Sequence, residues 1–512
     1  MAKKTSKNKS IKDITKSTDF FDKADSFFSK RSTIWLVVSL ACTALFGLLI
    51  FDMKVSVGGD DSAYILRAFR FIKDGMFPAF QAPLYPIVMS LIIGVIGIKL
   101  TVLKMLSLMF LIVNIYFFYR AFKDSAPPSV FFPVLLLTGL NHFLLYYGSQ
   151  TYSEAMFIAV QSITFFVVFK SFFNKPLEDS EIDIRQHYKL FLVAGLWMFI
   201  MFLTRKIGGG FLLALLGYFL LHKKWKHFLY SGIGFGAWFA LYMLVKLIFW
   251  GEKLLNVGAQ ENRILLKDPY NKSKGYEDLA GFFDRFIGNS QLYLSKHFLK
   301  FIGLKDEMSI TKSGLVATLI YLVFAVSVVY VYRKNKQILL TLIYLAIMLG
   351  LTFILLATKW DQGRLVIVYA PLALLSLLTG LYYLFKTSFL KKFQAIFVVL
   401  VLCLFIPAFT GTTNKVKGKL MNLRHNLSGD MYHGYSPDWE NYLKMCVWAA
   451  ENVSEDVMIA ARKPSMAFIY SGGRRFHGIY RLPSQDPDTL FNKLKENNVR
   501  YVIMASLRRT QK

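Results

Sequence analysis

The sequence predicts an all-α membrane protein that crosses the bilayer about eleven times and carries a small α/β domain at its C-terminus. Of its 512 residues, 55% are hydrophobic and 16% are aromatic, whereas soluble globular proteins are about 45–50% apolar. A second observation is a series of apolar runs long enough to cross a bilayer, or nearly so. These runs lie at about 34–51, 101–119, 130–148, 154–173, 189–204, 208–221, 228–250, 314–332, 338–357, 365–385 and 394–410. A third is the mixed polarity of the chain after about residue 411.

The formal charge of +29 does not by itself identify a binding partner, but the positions of the charged residues do narrow the choice. Lys and Arg fall in short clusters between apolar runs instead of along one groove, so we expect an anionic lipid leaflet as partner and no nucleic acid. Residues 1–33 are basic and precede the first apolar run, which predicts a cytoplasmic N-terminus and an uncleaved first span. The three cysteines have no metal-binding spacing and imply no disulfide framework.

The run from Leu84 to Ile98 is short for a span and begins between Pro83 and Pro86, which favours a helix in the membrane interface. Whether this run crosses determines on which side of the membrane every later loop lies, so the basic loops test it. If it does not cross, the basic clusters at 222–227, 333–336 and 386–392 all face the cytoplasm, as the positive-inside rule requires. We therefore predict that it does not cross.

This topology predicts a transmembrane domain at 34–410, whose large loops, 52–100 and 251–312, are extracytoplasmic. Residues 411–512 form the predicted extracytoplasmic C-terminal domain. Hydrophobic periodicity and turn residues within it predict two helices, two strands and a turn. In chain order these are Trp439–Glu451, a strand at 457–460, a turn at 471–473, a helix at 487–497 and a strand at 499–504.

Two adjacent acids, Asp60 and Asp61, open the first large loop. Carboxylates at the edge of a membrane are costly where water is scarce, so they are either a hydrated loop end or part of a site. Because the large loops all lie on this side, we favour a site. A carboxylate there is suited to remove a proton from an acceptor hydroxyl or amine.

The acidic pair, Tyr64, Asp74-Gly75 and the segment Pro83-Leu84-Tyr85-Pro86 together resemble the GT-C membrane glycosyltransferases. The nearest groups are the protein O-mannosyltransferase-like and the aminoarabinose-transferase-like (ArnT-like) enzymes. The chain departs from their pattern at Ala82, where a second proline is commoner, and at Asp61, where Glu is frequent.

The resemblance implies transfer of a sugar from a polyprenyl-phosphate-linked donor to a lipid, glycan or protein acceptor. It places the reaction on the extracytoplasmic face of a membrane, and we expect a bacterial inner membrane. Asp60 is the implied general base, with Asp61 as the alternative, and Tyr64 and Tyr85 belong to the implied substrate loop.

Glu154 begins the fourth apolar run on the same predicted face, where similar enzymes often carry an acid. It would orient the acceptor or assist the base. Alternatively, Ser153 caps this helix and Glu154 is favoured there by the helix dipole. Two acids in different loops are also able to hold a divalent cation, but the sequence contains no stronger metal or cofactor signature.

Three cations on the same predicted face are candidates to bind the donor phosphate. Arg205 and Lys206 lie where the positive-inside rule disfavours them, and Thr204-Arg205-Lys206-Ile207-Gly208 matches the family pattern at this turn. Arg364 precedes a late span in a segment that also resembles the family. The alternatives are snorkelling of Arg205 and Lys206 to the interface and a surface ion pair between Asp361 and Arg364.

The competing functional class is a transporter or flippase for a lipid-linked or polar solute. Such proteins place ionisable residues near the middle of the bilayer. Lys104 and Lys246 lie near or inside apolar runs and support this alternative. The other distinctive charges gather at the ends of predicted spans, which favours the transferase.

Overall fold

The computed structural model describes residues 19–174, 178–251, 263–305, 308–479, 486–505 and 507. Most of the predicted cytoplasmic N-terminal segment therefore lies outside the described residues. Nine described helices are long and apolar enough to cross a membrane, or ten if one bent pair counts as a single span, so the chain is a multi-pass membrane protein. The nine are Ser32–Leu49, Leu100–Phe122, Ser153–Phe172, Ile184–Thr204, Trp225–Trp250, Gly314–Val331, Lys336–Leu355, Ile367–Phe385 and Lys391–Leu427.

The helices are numbered along the chain. The first eleven are α1 (Phe20–Ser29), α2 (Ser32–Leu49), α3 (Asp60–Asp74), α4 (Leu84–Ile96), α5 (Leu100–Phe122), α6 (Pro128–Gly139), α7 (His142–Gly148), α8 (Ser153–Phe172), α9 (Ile184–Thr204), α10 (Gly210–Leu221) and α11 (Trp225–Trp250). The next six are α12 (Leu279–Leu292), which a π-helical turn extends, α13 (Gly314–Val331), α14 (Lys336–Leu355), α15 (Ala370–Phe385), α16 (Gln394–Cys403) and α17 (Phe405–Leu427).

The apolar run at 130–148, predicted as one span, is two helices, α6 and α7, that meet at 48°. The break is at Asn141, whose Oδ1 accepts hydrogen bonds from the N–H groups of Phe143 and Leu144, both at 3.1 Å, and so caps α7. Its Nδ2 donates to the carbonyl of Phe301 at 2.8 Å. The run at 208–221 is also helical but short, because its first turn is a 3₁₀ helix at Lys206–Gly209. The predicted total of eleven spans stays a prediction.

A contact between α5 and the end of α2 bears on the expected non-crossing of α4, which stays a prediction. The ammonium of Lys104, in the second turn of α5, donates to the carbonyl of Asp52 at 2.6 Å and to that of Lys54. The chain therefore leaves α2 and enters α5 at the same end of the bundle, and α3 and α4 pack on each other there. We refer to this end, where α3 and α8 begin, as the acidic end.

The three basic clusters lie together at the opposite end. There Lys386 pairs with Asp22 of α1 at 3.3 Å. The ring of His222 stacks on Tyr332 with 6.3 Å between centroids, and Asn335 donates to the hydroxyl of Tyr383 at 3.4 Å. The three basic clusters thus share one end of the bundle, as the count of spans predicted.

The C-terminal region contains α18 (Pro437–Asn452), β1 (Met458–Ala461), α19 (Pro464–Tyr470), β2 (Phe476–Gly478), α20 (Pro487–Glu496) and β3 (Val499–Val502). The strands form a parallel sheet in the order β2-β1-β3. Both predicted helices and both predicted strands are present, whereas α19 and β2 were not predicted because they are only seven and three residues long. Helix α17 runs through residue 411, the predicted domain boundary.

Helices α9 and α11 cross at two glycines. A Cβ atom added to Gly195 would overlap the backbone carbonyl of Gly234, and one added to Gly234 would overlap the carbonyl of Phe191. In membranes, small residues at such crossings allow helices to approach closely.

We predict that Gly195→Ala and Gly234→Ala each lower the thermal unfolding midpoint in detergent, because overpacking costs about 1–3 kcal/mol. Gly236→Ala, on the same helix with nothing within 4 Å of the added Cβ, is the control. It should leave the midpoint unchanged or raise it, and equal midpoints for all three variants would contradict the close crossing.

Candidate active site

Helix α3 places the two predicted acids in its first turn. Gly59 precedes them with φ of +85°, a left-handed conformation that favours glycine. The side chain of Asp61 is fully buried and accepts hydrogen bonds from the N–H groups of Ser56 at 2.7 Å and Ser62 at 2.8 Å. Burial raises the pKa of Asp61 above its usual value. This carboxylate therefore fixes the loop that leads into α3.

Asp60 points to the surface, with its side chain 48% exposed, and forms an ion pair with Arg364. Arg364 lies 304 positions further along the chain, in a 3₁₀ turn. Its guanidinium carbon sits 4.8 Å from the ring centroid of Tyr152, and its Nε donates to Gln362 at 3.0 Å. The structure thus joins the predicted base to a predicted phosphate ligand.

The alternative pairing of Arg364 with Asp361 is wrong. Asp361 instead pairs with Lys296 and with His297, whose Nε2 is 2.6 Å from the carboxylate. Arg364 interacts instead with the acids of the site, Asp60 and Glu154. Although burial acts to lower the pKa of Arg364, the carboxylates of Glu154 and Asp60 raise it above its usual value.

Glu154 is buried in the first turn of α8, and its Oε1 lies 3.1 Å from Nη1 of Arg205. That nitrogen is buried and makes no hydrogen bond within the described part of the chain, so the contact is an ion pair without hydrogen-bond geometry. The proposed capping of α8 by Ser153 is wrong. The N-cap position is Tyr152, and Ser153 instead accepts a hydrogen bond from the hydroxyl of Tyr64 at 3.3 Å.

The two tyrosines of the predicted substrate loop lie beneath the acids. The rings of Tyr64 and Tyr85 pack edge to face, 5.5 Å apart. Tyr85 is fully buried and shares a 2.8 Å hydrogen bond with Ser107 of α5. Tyr64 thus connects α3 to α8, and Tyr85 connects α4 to α5. Lys206 opens the 3₁₀ turn beside Arg205 and is half-buried.

A polar network under the site was not predicted from the sequence. Besides its contacts with residues 52 and 54, Lys104 donates to Oε1 of Gln150 at 3.2 Å. The carboxylate of Asp52 pairs with Lys419 at 2.9 Å. Although burial acts to raise the pKa of Asp52, the charges of Lys104, Lys419 and Lys54 hold it below its usual value. The buried lysine of α5 thus supports the loop at the acidic end.

The C-terminal domain packs directly on residues 52–62, which we call the acidic loop, and the sequence did not predict this contact either. Nζ of Lys463 donates to the carbonyl of Gly58 at 3.2 Å. The hydroxyls of Ser465 and Ser62 are 2.9 Å apart. At the far end of α3, Arg475 makes contacts of 2.6 and 2.8 Å with both carboxylate oxygens of Asp74.

A small apolar cavity begins two residues after Arg364 in the chain. Its lining residues are Tyr293, Leu294, Phe298, Phe301, Phe324, Leu349, Val366, Tyr369, Ala370 and Ala373. The site thus combines an accessible carboxylate, two arginines and a neighbouring apolar cavity. That combination can accept a proton and bind an anion with an apolar chain.

No protein-family model and no curated protein matches the sequence. Among solved structures, the chain is similar to the Archaeoglobus fulgidus oligosaccharyltransferase in complex with Zn and sulfate. The TM-score is 0.55 and the identity 12%, over 91% of this chain and 67% of the other. It is also similar to ArnT from Cupriavidus metallidurans bound to undecaprenyl phosphate, with a TM-score of 0.51 and 13% identity over 92% and 90% of the two chains. The predicted GT-C fold is confirmed.

The structure predicts that the two adjacent acids differ in their effect on stability. Asp61→Ala should lower the free energy of unfolding by about 1–3 kcal/mol, because it leaves buried N–H groups unpaired. Asp60→Ala should change it by only about 0–1 kcal/mol, because the side chain of Asp60 is half-exposed and Glu154 remains to compensate the charge of Arg364. Thermal unfolding of both variants in the same detergent measures the difference, and a larger loss for Asp60→Ala would contradict this assignment.

Proposed function

We propose that this chain, which has the GT-C fold, is a glycosyltransferase that transfers a sugar from a polyprenyl-phosphate-linked donor. The observation that carries the proposal is the pairing of the accessible carboxylate of Asp60 with Arg364, beside the pair of Glu154 and Arg205. The acidic end would face the extracytoplasmic side of a bacterial inner membrane, with the basic clusters in the cytoplasm. The acceptor is a lipid, a glycan or a protein.

Asp60 is proposed as the general base, because its side chain is accessible whereas that of Asp61 is buried and bonded to backbone. An acceptor hydroxyl or amine would attack the anomeric carbon of the donor sugar. As the new bond forms, the bond from that carbon to the phosphate oxygen breaks and Asp60 takes the acceptor proton. Asp61, Tyr64 and Tyr85 would keep the loop in position.

Arg364 and Arg205 are proposed to stabilise the negative charge of the departing lipid phosphate, with Lys206 close by in the chain. Because Arg364 pairs with Asp60 in this structure, a bound phosphate would compete with the carboxylate for the guanidinium. Donor binding would then free the base at the moment when the substrate is in place. The apolar cavity after Arg364 offers a surface for the first isoprene units.

Glu154 would keep Arg205 in position or orient the acceptor. In a second form of the mechanism, Asp60 and Glu154 would hold a divalent cation, which would supply positive charge beside the phosphate. Treatment with a chelator distinguishes the two forms, because the arginine form keeps its activity.

A transporter or flippase is the alternative function. Lys104 supported it in the sequence, but its ammonium reaches the backbone of the loop at the acidic end. Lys246 lies four residues before the end of α11, near Trp250, whose indole donates to Gly75 of the same loop at 2.7 Å. Neither position is that of a charge at the middle of the bilayer.

The proposal predicts that purified protein releases free polyprenyl phosphate from a labelled polyprenyl-phosphate hexose when membrane extract supplies the acceptor. Asp60→Asn and Arg364→Ala should each lower the rate by at least about 100-fold, the scale for loss of a general base or of transition-state charge stabilisation. The control variants are Asp22→Asn and Lys386→Ala, which remove an exposed ion pair at the opposite end of the bundle. Both should keep the wild-type rate.

If Asp60→Asn alone remains active, the base is Asp61 or Glu154 and the role given to Asp60 is wrong. Full activity of both site variants would contradict the site. Absence of turnover with several sugars, together with movement of lipid-linked sugar across proteoliposomes, would favour the flippase.

A further inference from the structure

A cluster of metal-binding side chains lies outside the candidate active site, where α17 meets the C-terminal domain. It consists of His425 in the last turn of α17, and Asp430 and His433 in the loop that follows. One ligand atom from each of the three residues lies within 4.8 Å of the others. The two imidazole rings face each other with 3.9 Å between centroids.

The loop backbone holds these side chains together. The buried amide of Asn426 donates to the carbonyl of Asp430 at 2.7 Å and to that of His433 at 3.4 Å. The N–H of Asp430 in turn donates to the carbonyl of His425 at 3.1 Å. Oδ1 of Asp430 accepts the N–H groups of Tyr432 and His433, while its Oδ2 lies 4.0 Å from Nδ1 of His433.

We infer that His425, Asp430 and His433 bind a Zn²⁺ ion. Two imidazole nitrogens and one carboxylate oxygen are ligands that Zn²⁺ accepts, whereas Mg²⁺ and Ca²⁺ prefer oxygen alone. Three protein ligands leave the fourth position to water. The ligand atoms lie within 4.8 Å of one another, which is wider than around a bound ion, so small rotations of these solvent-accessible side chains would complete the site.

The position of the cluster indicates what the ion does. The same loop continues to Tyr435, whose hydroxyl donates to the carbonyl of Val55, in the acidic loop, and lies 2.9 Å from that of Tyr470 in the C-terminal domain. Zn²⁺ would stiffen the loop that joins α17, the C-terminal domain and residues 52–58. The inferred effect of the ion is on the stability of this loop, and the inference does not depend on the transferase activity.

Direct metal binding tests the inference. The full-length protein, free of any affinity tag, is stripped with a chelator in detergent, and ZnCl₂ is then titrated in. We expect one Zn²⁺ per chain and a higher thermal unfolding midpoint with ZnCl₂, but not with MgCl₂. His425→Gln, His433→Gln and Asp430→Asn should each weaken binding at least about tenfold, because even partners outside the ligand shell contribute about 10–100-fold.

The matched control is His187→Gln, which removes a half-buried histidine outside the cluster and should bind Zn²⁺ like the wild type. Without metal, the variants should have the same unfolding midpoint as the metal-free wild type. This result excludes misfolding as the cause of lost binding. Substitution by Co²⁺ should give visible absorption bands that the double variant His425→Gln/His433→Gln lacks. Equal Zn²⁺ binding by this double variant and the wild type would show an adventitious ion only and overturn the inference, as would no stoichiometric binding by the wild type.

Discussion

Compensation of charge at the acidic end of the bundle is the constraint on which the site depends. A carboxylate close to the low-dielectric part of a membrane is costly unless a cation lies beside it. Asp60 meets Arg364 and Glu154 meets Arg205, and each partner comes from a distant segment of the chain. These pairs bring together the start of α3, the start of α8, the turn after α9 and the turn before α15. The same charges that stabilise this arrangement are those needed to accept a proton and bind a phosphate.

The site is supported from two sides. Within the bundle, Lys104 fixes the backbone that leads to Asp61, and Asp61 fixes the turn that presents Asp60. On the other side, the C-terminal domain contacts the same loop through Lys463 and Ser465. The carboxylate of Asp60, the proposed base, is therefore the accessible member of an otherwise buried polar assembly. Such support restricts its position, which efficient proton transfer requires.

The charged residues of the site were predicted from the sequence, but the ion pairs between them were not. Asp60, Glu154, Arg205 and Arg364 stood out because charges at the ends of apolar runs are visible locally. Their pairing was not visible, since it depends on how distant helices pack, and the local partner Asp361 was a wrong alternative for Arg364. The capping of α8 by Ser153 was wrong for the same reason, because Ser153 contacts Tyr64 of another helix. The fold class was predictable from apolar runs, whereas the break at Asn141 was concealed by its apolar neighbours.

The competition between Asp60 and phosphate for Arg364 is the central claim, and binding of polyprenyl phosphate to the purified protein tests it most directly. Affinities of the wild type, Asp60→Asn and Arg364→Ala are compared in the same detergent. Removing the carboxylate charge should tighten binding, because Arg364 no longer pairs with it. Arg364→Ala should weaken binding by at least about tenfold, since hydrogen bonds to charged groups contribute about 1.5–3 kcal/mol. Unchanged or weaker binding by Asp60→Asn, or wild-type affinity in Arg364→Ala, would contradict the account.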